Sequence, residues 1–576
     1  MHLHWDTLLR EGEQGVCPQA PALNLTQALE ALSVSFPSVR QSVERHSRAI
    51  QFDTTVGDSW PDPDTDDHVW NQRFSPFSRW LTRAFPAIHR TNSLIRREFV
   101  HQHGLLYTWE GSDPSLKPLL LMAHQDVVPV ENSTLNQWAF PPFSGHIDLE
   151  HQVVWGRGAV DCKQFLIGIL SAVETLAHSR FRPKRTILLS FGFDEESGVD
   201  EGTSILSYDH PSSFGMPLAT VAVTEKGSLN MHMTISSPGG HSSAPPPHTS
   251  VGILAKIITV LEETPFPAAI EDASSASIRH LQCLRDAPKM PARLRQALQK
   301  LEWAERTMES SVSLHARLPL LRRWYETVLP QEARTQRLAK ARMAVLLALS
   351  PEALTPFKTT QAADLFHGGI KVNALPERAE AFVNHRITPH SSIQETIQHY
   401  VRVLQPMAQH YRFALTVFGD VVVPVSNDTY AHVVLQDSSF TIDTAPPTPF
   451  EGPDAAAFEL VSSVIRGTFY LDEPRHQLRG SLDPEDAPAS LAYKDSIRVT
   501  PTTLSANTDT AWYHNLTRNI LRFGPQSVHP DLTGMFVDHQ LHTVNEHSTI
   551  DGLVKSIEFY THLIVAMDQS PIERIT

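Results

Sequence analysis

The chain has 576 residues and a mass of 64.3 kDa, which is too large for one hydrophobic core, so two or three domains are expected. Its hydrophobic fraction of 41% and charged fraction of 19% exclude a disordered or collagen-like chain. The 48 Lys and Arg residues against 63 Asp and Glu residues give a net charge of −15. That balance argues against nucleic-acid binding, which needs a basic surface.

Cysteine content and targeting signals give little information about structure or location. Three cysteines are too few for a disulfide framework, and no CxxC pair indicates a structural zinc site. The N-terminus is not a signal peptide, and no apolar run approaches the roughly 18 residues that span a bilayer. Sequons, which weakly favour a secretory route, occur at Asn24, Asn132, Asn427 and Asn515.

The first 229 residues fall into two parts with different sequence patterns. Residues 1–100 are rich in Pro and Asp and are predicted to form an irregular extension packed on the domain that follows, with one helix near Leu23–Leu32. Residues 101–229 alternate apolar strands, such as Pro118–Ala123 and Arg185–Phe193, with a helix at Phe165–Ala177. This pattern predicts the first part of an α/β domain, a mixed sheet with helices on both faces.

A second domain is predicted at residues 230–425. Met231–Ser236 alternates apolar and polar residues like a strand with one wet face, and helix Ser250–Leu261 follows. Residues 265–360 form a helical excursion. Within it, residues 290–350 are strongly helical, with one helix at Leu318–Leu329, and are most simply packing material. The whole is predicted to be an inserted α+β domain, enlarged by helices. Residues 426–576 complete the first domain.

Polar side chains follow several of the predicted strands. His124 and Asp126 are two residues apart after the first strand, so both side chains face the same way. Both could bind one metal, or the carboxylate could orient the imidazole; alone, such a pair is more often structural. Asp161 lies in a Gly-rich loop that opens a helix, and ligand sites of such sheets lie beyond the carboxyl ends of the strands.

Carboxylates also end the next two strands, at Glu195-Glu196 and at Glu225. Adjacent carboxylates repel unless a cation or proton intervenes, so a metal site is one interpretation and an exposed acidic turn is the other. An oxygen-rich set that includes histidine suits zinc, with cobalt or manganese as alternatives.

Five segments taken together resemble a known family. They are LLLMAHQDVVPV (119–130), WGRGAVDCK (155–163), FDEESG (193–198), PGGHSSAPP (238–246) and HTVNE (542–546). In this order they resemble the di-zinc exopeptidase family that includes carboxypeptidase S and aminoacylase. NTDTAWYHNLTRNILRFGP (507–525) is especially similar to the fungal carboxypeptidase S (Gly-X carboxypeptidase) branch. The similarity runs from about residue 100 to 570.

The resemblance implies a binuclear metal site. It implies two Zn²⁺ ions held by His124, Asp161, Glu196, Glu225 and His542, with Asp161 bridging. The family's Asp-Glu-Gly pattern is replaced here by Glu225-Lys226-Gly227, so Glu225 takes the Asp place with a longer arm. Cys162, where many relatives have an acidic residue, is expected to be a packed thiol rather than a ligand.

The resemblance also implies that residues 101–229 and 426–576 form the catalytic domain and that the inserted domain is a lid or dimerisation domain. It further implies the remaining site residues. Glu195 would be the general base, Asp126 would sit behind His124, and His241 would stabilise the oxyanion. Asn373 and Arg386 would bind the substrate carboxylate, since an Arg fork meets a carboxylate with two hydrogen bonds, and Asp509 would lie near the substrate.

The resulting hypothesis is a zinc metallo-carboxypeptidase, in which a metal-bridging hydroxide releases the C-terminal amino acid of a peptide. An aminoacylase-like N-acyl-amino-acid hydrolase or synthase is the nearest alternative; an inactive scaffold and a nuclease-like hydrolase are weaker ones. The expected partners are a small peptide or an N-acyl amino acid, without nucleic acid or a membrane span, in a monomer or homodimer. The resemblance implies a vacuolar location, with the cytoplasm as the alternative.

Overall fold

A computed structural model describes residues 17–57, 60–197, 214, 216, 218–270, 275–315, 331–438, 441–469, 497–525 and 541–572. The predicted helix at Leu318–Leu329 lies outside these residues. The predicted α/β class is confirmed, with helices packed on mixed sheets. None of the described helices combines the length and the apolar character needed to cross a bilayer.

The described α-helices, numbered in chain order, are α1 (Thr26–Ala31), α2 (Val39–Ile50), α3 (His68–Ala84), α4 (Pro86–His89), α5 (Lys163–His178), α6 (Ser250–Glu263), α7 (Ala276–Cys283), α8 (Ala292–His315), α9 (Gln331–Leu346), α10 (Ile393–Tyr411), α11 (Ala456–Thr468) and α12 (Ile550–Gln569). The strands are β1 (Ile95–Val100), β2 (Gly104–Trp109), β3 (Leu119–His124), β4 (His146–Asp148), β5 (Val153–Trp155), β6 (Ile187–Gly192), β7 (Leu218–Glu225), β8 (Gly227–Ser236), β9 (Gly240–His241), β10 (Thr360–Gly368), β11 (Ala374–Leu375), β12 (Arg378–Ile387), β13 (Phe413–Val417), β14 (Asp420–Val423), β15 (Ala431–Asp437), β16 (Arg498–Leu504) and β17 (His547–Thr549).

The catalytic part is built on two groups of strands. One sheet has the order β1-β2-β6-β3, in which β3 and β6 are parallel and His124 pairs with Gly192. A second pair, β7 and β16, is also parallel. The almost wholly buried α5 packs with α12 in the core that covers these strands. Because β3 and β6 are parallel and in register at His124, the segments that follow them leave the same edge of the sheet.

The prediction that residues 1–100 are largely irregular was wrong. The described part of this region contains α1 to α4 and the edge strand β1. Helix α2 is capped by Ser38, whose hydroxyl accepts the Gln41 N–H, and it buries Val43 and Ile50 in the main core. Helix α3 contains Pro76, so residues that normally indicate loops occur here inside regular structure.

The predicted lid has its own sheet and its own core. Six strands follow the order β10-β12-β8-β15-β13-β14, and apolar residues of β8, β12, β13 and β15 pack against α6 and α10. β12 pairs with β8 so that Arg386 lies opposite Ser228. Ser228 is two residues after Lys226, where the chain passes from β7 of the catalytic part into β8 of the lid. The predicted domain limits, and the predicted monomer or homodimer, stay predictions.

The helical excursion packs on the catalytic strands. Helices α7, α8 and α9 share an apolar core with Leu218 of β7, and Ser277 of α7 donates a hydrogen bond to Thr503 of β16 at 2.9 Å. A disulfide between Cys17 and Cys283 fixes the N-terminal segment to the end of α7. One disulfide is not a framework, as the cysteine content predicts, but the pairing itself was not foreseen.

Candidate metal centre

The centre begins at the end of β3. His124 is 4% exposed, and its Nδ1 lies 3.0 Å from the Asp126 carbonyl oxygen and 3.3 Å from Asp126 Oδ1. The fully buried Asp126 also accepts the Glu196 N–H at 2.8 Å. Because these contacts hold Nδ1, the other ring nitrogen, Nε2, is directed toward Asp161.

Asp161 joins two histidines. Its Oδ1 lies 3.0 Å from His124 Nε2, and its Oδ2 lies 3.0 Å from His542 Nε2. Each oxygen of this buried carboxylate therefore faces a different imidazole. That is the arrangement required of a carboxylate that bridges two metal ions, each with one histidine ligand.

Glu195 and Glu196 complete the cluster. Within this cluster, three overlapping groups of side chains could each hold a metal ion, with ligand atoms within 4.8 Å of one another: His124, Glu195 and Glu196; Asp161, Glu196 and His542; and His124, Asp161 and Cys162. His542 Nε2 also lies 3.3 Å from Glu196 Oε1. Four of the five predicted ligands and the predicted base thus lie together.

The cluster concentrates negative charge away from water. Burial raises the pKa of Glu195 well above its ordinary value, and the neighbouring Glu196 and Asp161 charges raise it further. Burial, together with Asp161, also raises the pKa of Glu196 to about 7. Burial alone would lower the pKa of His542, but its hydrogen bonds to Asp161 and Glu196 outweigh that effect and raise the pKa to about 10. Divalent cations would relieve this repulsion, so the donor set fits them.

Cys162 is bound to the backbone of β3. Its sulfur accepts the His124 N–H at 3.0 Å and lies 3.6 Å from the His124 carbonyl oxygen, to which it donates. Burial raises the pKa of the thiol to about 11, which keeps it protonated at neutral pH. These contacts support the expectation that Cys162 packs and supports His124 rather than acting as a ligand.

Glu225 lies beside the cluster but belongs to none of the candidate metal-binding groups that the described residues form. Its Oε1 accepts hydrogen bonds from Arg522 Nε, Thr508 Oγ1 and Thr510 Oγ1. Its Oε2 is buried and has no hydrogen-bond partner among the described residues. A buried carboxylate oxygen without a partner is costly, and a metal ion is one group that would satisfy it.

Asp509 approaches the same edge of the sheet. Its Oδ2 lies only 2.7 Å from the point where a Cβ on Gly192 would be, so this close approach requires a glycine at the end of β6. Burial raises the pKa of Asp509 to about 6, although the nearby His124 opposes this. The structure therefore places Asp509 next to the centre.

The predicted lid residues separate into two places. His241 and Asn373 are exposed neighbours: β9 pairs with β11, and the Ser242 N–H donates to the Asn373 carbonyl at 3.3 Å. No hydrogen bond or ion pair among the described residues joins either to the acidic cluster. Arg386 instead reaches the catalytic part, where its Nη1 donates to Asn507 Oδ1 at 2.8 Å.

A buried ion pair that the sequence did not indicate supports the centre. Glu546 and Arg157 are 0% and 3% exposed, and their Oε2 and Nη1 atoms lie 2.6 Å apart. Glu546 Oε1 accepts the Val160 and Asp161 N–H groups, and Arg157 donates to the His542 carbonyl. Both residues stand inside quoted motifs, but nothing in those motifs shows that they pair.

A buried cluster of histidines and carboxylates at the edge of an α/β sheet is typical of metal-dependent hydrolases. The family model described as "Peptidase family M20/M25/M40" matches residues 120–566. The chain therefore belongs to this peptidase family, which confirms the predicted family and the prediction that the protein is an enzyme. The family match and the buried cluster also support metal dependence, but they do not identify the metal.

Individual relatives cover most of the chain. Carboxypeptidase S of Saccharomyces cerevisiae is 32% identical over 579 residues, which span 94% of this chain and 89% of that one. The human N-fatty-acyl-amino acid synthase/hydrolase PM20D1 is 29% identical over 524 residues, or 87% of this chain and 84% of that one. The crystal structure of human carnosine dipeptidase 1 has a TM-score of 0.52 at 12% identity and covers 96% of this chain and 100% of that one. This last likeness concerns the fold alone.

Proposed function

We propose that the protein is a metal-dependent carboxypeptidase that releases the C-terminal amino acid from peptides. The observation that carries this proposal is the position of Asp161, whose two carboxylate oxygens each face a different histidine. A carboxylate placed in this way between two histidines is suited to bridge two metal ions. The similarity to carboxypeptidase S supports the choice of substrate.

Two zinc ions are proposed as the cofactor, with cobalt or manganese as alternatives. His124, Asp161, Glu196 and His542 would hold them, and Glu225 would complete the set through its unpartnered Oε2. When bound, such ions polarise the scissile carbonyl and acidify a water molecule.

Glu195 is proposed as the general base. Its carboxylate is 4% exposed and lies in the same group as His124 and Glu196. Because burial raises its pKa, the carboxylate can take a proton from the attacking water and return it to the leaving amine. Asp126 would keep the Nδ1 side of His124 occupied, so that Nε2 stays directed into the centre.

The lid is proposed to recognise the substrate. Arg386, at the base of the lid, would bind the free carboxylate, with Asn373 as a second donor and Asp509 lining the site. His241 would stabilise the tetrahedral oxyanion. The roles of His241 and Asn373 rest on the family resemblance, since His241 on β9 and Asn373 just before β11 are both exposed.

The same site could act on N-acyl amino acids, and the similarity to the human synthase/hydrolase favours this as the second candidate. Both substrates present a carboxylate next to the scissile amide, so they differ only in the acyl group. The ratio of hydrolysis rates for a blocked Gly-Leu dipeptide and for a long-chain fatty-acyl amino acid separates the two functions.

The test combines metal analysis with a rate survey. Purified protein is expected to contain about two equivalents of metal per chain and to hydrolyse the blocked dipeptide. Chelation should abolish the reaction, and zinc, cobalt or manganese should restore it. Activity that is unaffected by chelation, or an enzyme that cleaves only the fatty-acyl substrate, would reject the carboxypeptidase proposal.

A secretory route is proposed for this chain, in line with the vacuolar location. The Cys17–Cys283 disulfide favours folding in an oxidising compartment, and the four sequon asparagines are all exposed. The denatured protein should accept one alkyl group, on Cys162, before reduction and three afterwards. Three reactive thiols before reduction would contradict the proposal and favour the cytoplasm.

A further inference from the structure

One buried amide connects the lid to the catalytic strands. Asn507 is 1% exposed; its Oδ1 accepts a hydrogen bond from Arg386 Nη1 at 2.8 Å, and its Nδ2 donates to the Lys226 carbonyl. Lys226 is the single residue between β7 of the catalytic part and β8 of the lid. Asn507 therefore contacts both Arg386, the candidate substrate-binding residue, and Lys226, where the chain passes between the two parts.

The contact fixes the orientation of Arg386. The guanidinium is planar, so a hydrogen bond to one of its nitrogens, together with the side chain's own attachment to β12, restricts the plane in which the remaining N–H groups lie. Arg386 is partly exposed, whereas Asn507 is buried. A partly exposed side chain thus has a rigid, buried partner.

The segment that carries Asn507 is itself fixed to the metal centre. Thr508 and Thr510 donate hydrogen bonds to Glu225, and Asp509 between them packs against Gly192 at the end of β6. One short segment, 507–510, therefore contacts Arg386 on one side and Glu225 and Gly192, beside the centre, on the other.

The amide is also the appropriate chemical group. It accepts from the guanidinium without adding a negative charge, and its NH₂ satisfies the Lys226 carbonyl. An aspartate here would accept from Arg386 as well, but its charge would compete with a substrate carboxylate for the same cation and would face the Lys226 carbonyl without a donor.

We propose that Asn507 is a specificity-determining positioning residue, which orients Arg386 so that the enzyme selects substrates with a free C-terminal carboxylate. This inference rests on the carboxypeptidase function proposed above. It assigns no contact with the reacting atoms to Asn507, which acts through Arg386.

The test uses the metal-loaded full-length enzyme and two substrates, a blocked Gly-Leu dipeptide and the same dipeptide with a C-terminal carboxamide. The variants are Asn507→Leu, which has similar volume and no hydrogen bonds, and Asn507→Asp, which has nearly the same shape. Asn384→Leu is the matched control, because Asn384 lies two residues from Arg386 on β12 and donates to Asn230 within the lid.

The wild type should prefer the carboxylate over the carboxamide by about 100-fold or more, since a site built for a charged group rejects its neutral analogue. In both Asn507 variants KM for the carboxylate should rise about tenfold or more, as expected when a charge-assisted contact loses its geometry. The kcat and the carboxamide kinetics should change little. Asn384→Leu should keep the wild-type preference.

The possible results separate the inference from the proposed function. A wild type without preference for the carboxylate overturns both. A clear wild-type preference that survives in Asn507→Asp, or that falls equally in Asn384→Leu, overturns the role of Asn507 and leaves the carboxypeptidase function intact. Equal losses on the two substrates would likewise overturn it, because they would indicate general damage. Should Asn507→Leu not fold, Asn507→Asp alone decides.

Discussion

Glu546 and Arg157 form a buried ion pair, 2.6 Å between Oε2 and Nη1, that ties together two segments separated by 389 residues. One segment carries Asp161 and the other carries His542, so the pair fixes the positions of two proposed metal ligands relative to each other. Neither partner is a candidate ligand itself. The pair acts by fixing backbone positions: Glu546 binds the Asp161 N–H, and Arg157 binds the His542 carbonyl.

Glu546→Ala is therefore expected to weaken both the fold and the metal site. Removal of one partner leaves Arg157 buried without its counter-charge, which typically costs about 3–5 kcal/mol of stability. Loss of support behind the ligands typically lowers metal affinity by about 10- to 100-fold. Urea denaturation of the chelated protein and a zinc titration measure the two effects.

Glu546→Gln is the informative companion to this variant. It keeps one oxygen for the Val160 and Asp161 N–H groups but loses the charge. We expect an intermediate loss of stability and of metal affinity. If both variants bind zinc as tightly as the wild type, the ion pair does not position the ligands.

Glu195→Gln should remove catalysis and leave the centre able to bind metal. General-base catalysis contributes about 10²- to 10⁴-fold, so kcat should fall by about 10²-fold or more. The change preserves shape and removes a buried charge, so no loss of stability is expected. Rates on the blocked dipeptide are compared at equal metal content, with the exposed Glu150→Gln as control. Near-wild-type turnover would reject the assignment.

The sequence predicts the centre better than it predicts its supports. His124, Asp161, Glu195 and Glu196 follow strands or lie in a Gly-rich loop, which makes them candidates, and the resemblance to a known family selects them as one set from the structural alternatives. The pairs that hold them in place cannot be found in this way, because a buried Arg has many possible carboxylate partners in a chain with 63 acidic residues. The disulfide between Cys17 and Cys283 is unpredictable for the same reason, since tertiary packing of α7 brings the two together.

In the chelated protein, the contribution of the buried acidic cluster to stability is expected to fall as pH rises. Glu196 has an ordinary pKa of 4.5 and a pKa of about 7 in the folded, metal-free protein, where burial is the main cause. Between these values the folded state binds more protons than the unfolded state, so the free energy of unfolding decreases with increasing pH. Glu195, with its raised pKa, and His542, whose folded pKa of about 10 exceeds its ordinary 6.5, act in the same direction.

Melting temperatures measured in chelator from pH 4.5 to 7.5 test this expectation. Burial lowers the pKa of His46 to about 3 and the pKa values of His280 and His385 to about 4, and these groups act in the opposite direction in this range. The contribution of Glu196 is therefore measured as a difference: relative to the wild type, the midpoint of Glu196→Gln should rise with increasing pH, because glutamine does not titrate. Added zinc should remove most of the effect of Glu196 in the wild type, since metal binding replaces the proton on the carboxylate. A metal-free difference between the two proteins that does not change with pH would contradict the proposed burial of Glu196.

Arg522 is expected to control the proposed second metal position through Glu225. Its Nε donates to Glu225 Oε1, and its backbone pairs with Ala222 of β7, so it holds the carboxylate with Oε2 unpartnered. Arg522→Leu should leave Glu225 without its counter-charge and lower the affinity for one of two metal ions, by about 10- to 100-fold. Glu225→Gln should reduce the same affinity, because an amide oxygen is a weaker ligand than a carboxylate.

Isothermal titration of the chelated variants should show one site near wild-type affinity and one weakened site. Arg518→Leu is the matched control, since Arg518 forms an exposed ion pair with Asp454 and should leave both affinities unchanged. Two unaltered sites in Glu225→Gln would show that Glu225 serves only to bind Arg522.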